Sequence, residues 1–295
     1  MDTVYATRTP PANNNKYKKR LGAKASKNLE KLESVDFELN SMEATLYRAL
    51  SARCNYLAQD RVDIAFSAKE LCREFAVPTK SSYARLKRLA RYLVGLPRLV
   101  YKYDFQDQPT HITVYCDTDF AGCQSTRRST SGGVCMHGDH NIKHWSNTQT
   151  TVCLSSGEAE LRGISDGLAQ GLGIQSIARD LGLTWEIKML SDATAAIGIA
   201  RRRGMGRIRH LDVTDLWVQE KFTSKAVTID KVLGTKNPAD VLTKQVYGST
   251  LRVALQKMGM AVLDGRSGVA PQAMGVQNQL LNKRQRRLAV RACIA

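Results

Sequence analysis

Residues 112–123 read Ile112-Thr113-Val114-Tyr115-Cys116-Asp117-Thr118-Asp119-Phe120-Ala121-Gly122-Cys123. The β-branched opening is short and reads as a strand, with Asp117 where that strand ends. Downstream, Gly132-Gly133-Val134-Cys135-Met136 and Ile142-Lys143-His144-Trp145 read as two more strands joined by a turn at Gly138-Asp139-His140-Asn141. A long helix is expected from Ser155 to about Leu181, then a strand at Lys188–Leu190 and a helix at Ala193–Arg201. A helix at His210–Phe222, a strand at Val227–Leu233 and a last helix opening at Asn237-Pro238 complete the series. Three strands followed by alternating helices and strands indicate a mixed α/β sheet rather than a doubly wound parallel one.

Upstream, residues 29–100 carry a helical pattern. Ser41 opens a segment with apolar residues at Leu46, Leu50 and Tyr56-Leu57, and a second segment runs from Ile64 to Phe75. After Pro78, Ser81-Ser82 can cap a third, apolar at Leu86, Leu89, Tyr92 and Leu93. The other face of that third helix carries Arg85, Lys87, Arg88, Arg91 and Arg98, which suits either a solvated face or a nucleic-acid groove. Residues 1–28, with Pro10-Pro11 and Lys16-Tyr17-Lys18-Lys19-Arg20, read as a disordered basic arm. Residues 247–295 read as a basic, loosely ordered tail.

The whole chain has 295 residues with 44 Lys+Arg against 27 Asp+Glu, a net charge of +17 that favours a polyanionic partner. With no apolar run near ~18 residues and no amino-terminal apolar leader, a membrane-spanning or secreted protein is not expected. An intracellular location, cytoplasmic or nuclear, follows. The seven cysteines form no C-x-x-C pair, so neither a disulfide framework nor a zinc site is indicated.

Four carboxylates stand at element ends. Asp117 ends the first strand of the sheet, Asp192 lies where the fourth runs into a helix, Asp240 is in the first turn of the last helix, and Glu160 is in the first turns of the long one. Such positions gather at one edge of an α/β sheet. Clustered carboxylates repel one another, and two Mg²⁺ ions would resolve the conflict, since hard cations prefer oxygen ligands. Each acid also has an ordinary explanation. Asp240 can favour a helix dipole, Asp192 can be an N-cap, and Glu158 completes the capping-box pattern Ser155-x-x-Glu158, which leaves Glu160 as the better ligand. Asp119 suits a turn or a supporting position.

The blocks Val114–Cys123, Thr126-Arg127-Arg128-Ser129-Thr130-Ser131-Gly132, Leu154-Ser155-Ser156-Gly157-Glu158-Ala159-Glu160-Leu161, Leu190-Ser191-Asp192, Arg209-His210-Leu211-Asp212 and Asn237-Pro238-Ala239-Asp240-Val241-Leu242-Thr243-Lys244 occur in this order. Residues 111–246 thereby resemble the ribonuclease H domain of copia-type (Pseudoviridae) retrotransposon polyproteins. Glu43–Arg48, Tyr56–Ala65, Pro78–Lys80, Leu86–Arg88 and Arg91–Leu93 resemble the end of the same family's reverse transcriptase.

The resemblance implies an RNase H-like mixed five-stranded sheet flanked by helices, preceded by a helical region. It also implies hydrolysis of the RNA strand of RNA–DNA hybrids by a two-metal mechanism, with Mg²⁺ or its substitute Mn²⁺. By likeness, Asp117 bridges both ions, Asp240 holds the ion that activates water, and Glu160 and Asp192 hold the ion near the leaving oxygen. The family spaces its ligand Glu three residues before a small residue, as Glu160 stands before Gly163. Arg127, Arg128, Ser129 and Thr130 are candidate contacts to the nucleic-acid backbone, or an ordinary polar loop. His210 suits capping or packing better than catalysis. No Tyr-x-Asp-Asp polymerase centre is present, so a reverse-transcriptase polymerase portion is a candidate partner. Two alternatives stay open: a catalytically inactive nucleic-acid-binding fragment of a retroelement, and a DNA nuclease of the same superfold.

Overall fold

The computed structural model describes residues 36–123, 125–204 and 213–265. The expected basic arm at 1–28 and the Arg209-His210-Leu211-Asp212 block lie outside them.

The helical region forms as the pattern implies, with shifts in detail. Helix α1 (Ser41–Leu57) begins at Asn40, whose side chain accepts from the Glu43 N–H at 2.9 Å while Glu43 accepts from the Asn40 N–H at 3.3 Å. Its buried face is Ala44, Tyr47 and Ser51, while Leu46 and Tyr56, expected inside, are exposed. Helix α2 (Ala65–Cys72) follows a 3₁₀ turn at Val62–Ile64. Helix α3 (Lys80–Gly95) is capped by Thr79, two residues before the first of the expected serines: Thr79 accepts from the Ser82 N–H, and the Ser82 hydroxyl accepts from the Thr79 N–H at 3.0 Å. The buried pair Arg61–Asp63 joins the end of α1 to α3. Arg61 makes two bonds to Asp63 (2.7 and 2.9 Å) and one to the Leu96 carbonyl (3.0 Å), and the Tyr92 hydroxyl donates to Asp63 at 2.7 Å.

The main sheet holds β2 (His111–Asp119), β3 (Thr130–His137), β4 (His140–Thr148), β5 (Glu186–Ser191) and β6 (Val227–Lys231) in the order β4-β3-β2-β5-β6. Strands β2, β3 and β4 are antiparallel neighbours, whereas β2–β5 and β5–β6 are parallel. This is the expected mixed five-stranded sheet. Helices α4 (Ser156–Asp180), α5 (Thr194–Arg201) and α6 (Val213–Thr223) belong to the same α/β half.

Each face of the sheet has its own core, because side chains alternate along a strand. On one face Ile112, Val114 and Cys116 of β2 pack with Leu161, Ile164 and Leu168 of α4. On the other, Tyr115, Val134 and Met136 join Tyr47, Ile64, Leu86, Val241 and Leu242, so the helical region and the sheet share one core. Polar contacts fasten the same seam: Lys69 Nζ donates to Thr130 Oγ1 (2.8 Å), and His144 Nε2 lies 2.9 Å from the Ala58 carbonyl.

The carboxyl-terminal part differs from expectation. Residues 248–262 are not a loose tail but helix α7 (Gly248–Lys257) and strand β7 (Met260–Val262), and β7 pairs antiparallel with β1 (Leu99–Tyr101). Leu251, Ala254, Leu255, Met258 and Met260 enter the shared core. The charged residues of the stretch, Arg252 and Lys257, are both basic, and its buried apolar residues supply the driving force. Among the described residues no helix is long and apolar enough to cross a membrane.

Candidate active site

Asp117 lies near the carboxyl end of β2, just past the last residue pairing with parallel β5, and the strand continues to Asp119. Asp192 follows the end of β5 directly. The parallel pairing of β2 and β5 therefore sets these two acids side by side at one sheet edge. Asp192 does not cap the next helix: the N-cap of α5 is Ala193, with no side-chain cap bond.

Glu160 reaches the same edge because α4 lies unusually close to β2. Its glycines at 163, 167 and 171 recur every fourth residue and face Thr118, Cys116 and Val114 in turn. A Cβ at Gly171 would stand 3.0 Å from Val114 Cγ2. Glu158 is occupied otherwise. Ser155 caps α4 by accepting from the Glu158 N–H (3.2 Å), while Glu158 accepts from the Leu154 N–H (2.7 Å) and pairs with Arg162 (3.1 Å). Its carboxylate thus closes the helix start one residue further back than a capping box would.

Asp240 is carried by a 3₁₀ turn, Pro238–Leu242, rather than by the regular helix expected there. Asn237 fixes the turn: its side chain accepts from the Ala239 N–H (3.1 Å) and donates to the Cys116 carbonyl beside Asp117 (2.9 Å). The turn rests on Gly132, the β3 partner of Asp117, where a Cβ would come within 2.7 Å of Thr243 Cγ2 and 2.8 Å of Leu242 Cβ. This seat brings Thr243 and Lys244 to the acids. The Thr243 hydroxyl donates to Asp117 Oδ2, and Lys244 pairs with Asp240.

The electrostatics show one shared field. Burial first, then Asp117 and Asp192, push the Glu160 carboxyl up to about 8, with Lys244 opposing. Burial raises Asp117 to about 6; the Thr243 hydroxyl and Lys244 pull it down, and Asp240 and Asp192 push it up. Asp119 is likewise raised by burial, against Lys244 and Lys69. Among the described residues no three His, Cys, Asp or Glu side chains converge tightly enough, as they stand, to hold an ion. The donor chemistry nevertheless suits a hard divalent cation: the acids are oxygen donors, and their mutual repulsion is what such an ion relieves.

The four loop residues divide. Arg127 and Arg128 are exposed, and Arg127 adopts a positive φ of 57°. Ser129 and Thr130 are buried and engaged. Ser129 Oγ accepts from the Ala121 N–H (3.1 Å), and Thr130 Oγ1 accepts from Lys69. Those two hydroxyls therefore face protein rather than a ligand. Asn237, Thr243, Lys244 and Lys69 were not singled out by sequence reasoning. The signal for three of them was the spacing around Asp240, with an amide three positions before it, a hydroxyl three positions beyond and a cation four positions beyond.

No family model matches the chain. It is 27% identical over 223 residues to the "Retrovirus-related Pol polyprotein from transposon RE1" of Arabidopsis thaliana, covering 74% of this chain and 15% of that protein. It is also 27% identical over 202 residues to the corresponding polyprotein from transposon TNT 1-94 of Nicotiana tabacum, covering 68% of this chain and 15% of that protein. The chain thus spans about 15% of the length of these relatives. Among solved structures, the amino-terminal RNase H domain of a Mycobacterium tuberculosis protein aligns at 21% identity with a TM-score of 0.32, over 50% of this chain and 97% of that one. The chain is thus similar, over about 15% of their length, to the retrovirus-related Pol polyproteins of copia-type retrotransposons.

Proposed function

We propose that the chain is a metal-dependent ribonuclease H that hydrolyses the RNA strand of RNA–DNA hybrids. The observation that carries this is the shared field of Asp117, Glu160, Asp192 and Asp240, drawn from four separate elements to one sheet edge. These are the residues that would hold two Mg²⁺ ions, with Mn²⁺ as substitute. Bound there, such ions activate a water and stabilise the leaving oxygen of a phosphodiester. The chain's own part is positional: Asn237 and Gly132 seat the Asp240 turn, and the glycine face of α4 brings Glu160 in. Arg127 and Arg128, both exposed, would meet the hybrid's phosphates, and 2′-hydroxyl contacts would distinguish RNA from DNA. Incubation of the full chain with labelled hybrid and Mg²⁺ tests the proposal. Cleavage lost in Asp117→Asn and Asp192→Asn is expected. No cleavage by the unaltered chain, or cleavage unchanged in Asp192→Asn, would sink it.

A second reading, a hybrid-binding fragment without turnover, draws on the lack of tight convergence among the acids. It predicts binding whose log affinity falls linearly with log salt, and no product.

A further inference from the structure

We propose that Lys244 is the site's own exchangeable counter-ion, resting on Asp240 until a divalent cation displaces it and so setting how tightly that cation is held. The inference rests on the reading of the four carboxylates as a cation site.

The geometry is specific. Lys244 stands four residues beyond Asp240 on the segment that leaves the 238–242 turn, and its ammonium pairs with Asp240 Oδ1. The Lys244 side chain is 48% exposed while that of Asp240 is 22% exposed, so the ammonium enters from the solvent side and covers a partly buried acid. The adjacent Thr243 hydroxyl, itself buried, donates to Asp117. Two consecutive side chains thus occupy oxygen atoms that a cation would need.

The reach of Lys244 extends beyond its partner. Its charge lowers the Asp117, Asp119 and Glu160 carboxyls, and Asp240, Asp117 and Asp192 all act back upon it. The other cation at this edge, Lys69 of α2, is engaged elsewhere, with Glu70 (2.5 Å) and Thr130 (2.8 Å). Among the described residues, Lys244 is the base whose charge acts on all four acids. A lysine suits a displaceable role, being a compact charge on a flexible stem with no bidentate grip on a carboxylate. A divalent ion at Asp240 competes with this ammonium for the carboxylate, and the like charges repel one another at contact distance.

Removing the ammonium should tighten cation binding, since the site loses a competitor and gains negative charge. The test is an Mn²⁺ titration of the full 295-residue chain without nucleic acid, with free Mn²⁺ counted by electron paramagnetic resonance. Lys244→Met is expected to bind about fivefold tighter than the unaltered chain, the weight of a part-exposed ion pair. Lys244→Arg, which keeps the charge, should stay near the unaltered value. Equal or weaker binding by Lys244→Met would overturn the proposal while leaving the cation site standing. Absence of Mn²⁺ binding in every variant, the unaltered chain included, would overturn both the proposal and the site reading beneath it. Should Lys244→Met lose its fold by circular dichroism, Lys244→Gln is read by the same criteria.

Discussion

Replacing Gly132 by alanine tests how the site is assembled. A Cβ there would stand 2.7 Å from Thr243 Cγ2, 2.8 Å from Leu242 Cβ and 3.1 Å from the Leu242 carbonyl carbon. Ordinary carbon contact needs about 3.5–4.0 Å. One of the obstructing atoms is backbone, so rotamer change alone cannot relieve the clash, and the 238–242 turn must retreat by roughly 1 Å. Overpacking of this kind costs about 1–3 kcal/mol, against which alanine regains about 0.5–1 kcal/mol of the entropy that glycine loses in a strand. The net expectation is a loss of about 1–2 kcal/mol, read as a lower urea midpoint. The same retreat withdraws Thr243 from Asp117 and shifts Asp240, and a misplacement near 1 Å can cost about 100-fold in rate. The control is Gly173→Ala, exposed on α4 with nothing within 4 Å of the added Cβ. It should stabilise by up to about 1 kcal/mol through helix propensity. If Gly132→Ala matches the unaltered chain in both urea midpoint and cleavage rate, the close seat of the turn is not what holds the acids together.

Glu160 gives the pH prediction. Its folded carboxyl lies near 8 against an ordinary value of 4.5, so the folded state binds the proton more tightly than the unfolded one. In the presence of a chelator, stability should fall as pH rises from about 4.5 towards about 8, and Glu160→Gln should flatten that slope; a slope unchanged by the substitution would contradict the assigned cause. Ending the chain at 246 removes Leu251, Leu255 and Met258 from the shared core, and should cost at least the roughly 2–5 kcal/mol of one buried leucine. An unchanged melting temperature would show that α7 and β7 merely lean on the surface. Arg127→Ala with Arg128→Ala should weaken hybrid binding and shrink the magnitude of its log–log salt slope by up to about 2, whereas Ser129→Ala should leave that slope alone. An equal effect of Ser129→Ala on the slope would mean that its buried hydroxyl does meet the ligand.

Much of this molecule is decided locally. The alternation in Ile112–Cys116, the Ser155 cap and the Asn237-Pro238 start each specify their element from a few neighbouring residues, because capping and strand patterning are short-range effects. The order of the four acids was legible for the same reason, since each stands at the end of an element that the pattern reveals. Glu158 is drawn into the helix start, accepting from the Leu154 N–H and pairing with Arg162.

Other features depend on groups far apart in the chain. Lys69 meets Thr130 across 61 positions and Thr243 meets Asp117 across 126, and no local signal carries such pairings. Burial of Ser129 and Thr130 likewise arises from what packs over them, not from their polar sequence. The region after 246 shows the limit most clearly. Its basic composition describes the residues that face water, while its order comes from five side chains that find a core built by distant elements. Sequence alone thus made legible the five strands of the main sheet, the Ser155 cap and the positions of the acids at element ends, through interactions that span a few residues. Tertiary structure decided which hydroxyl and which ammonium cover those acids, because desolvation and charge repulsion act between groups that only folding brings together.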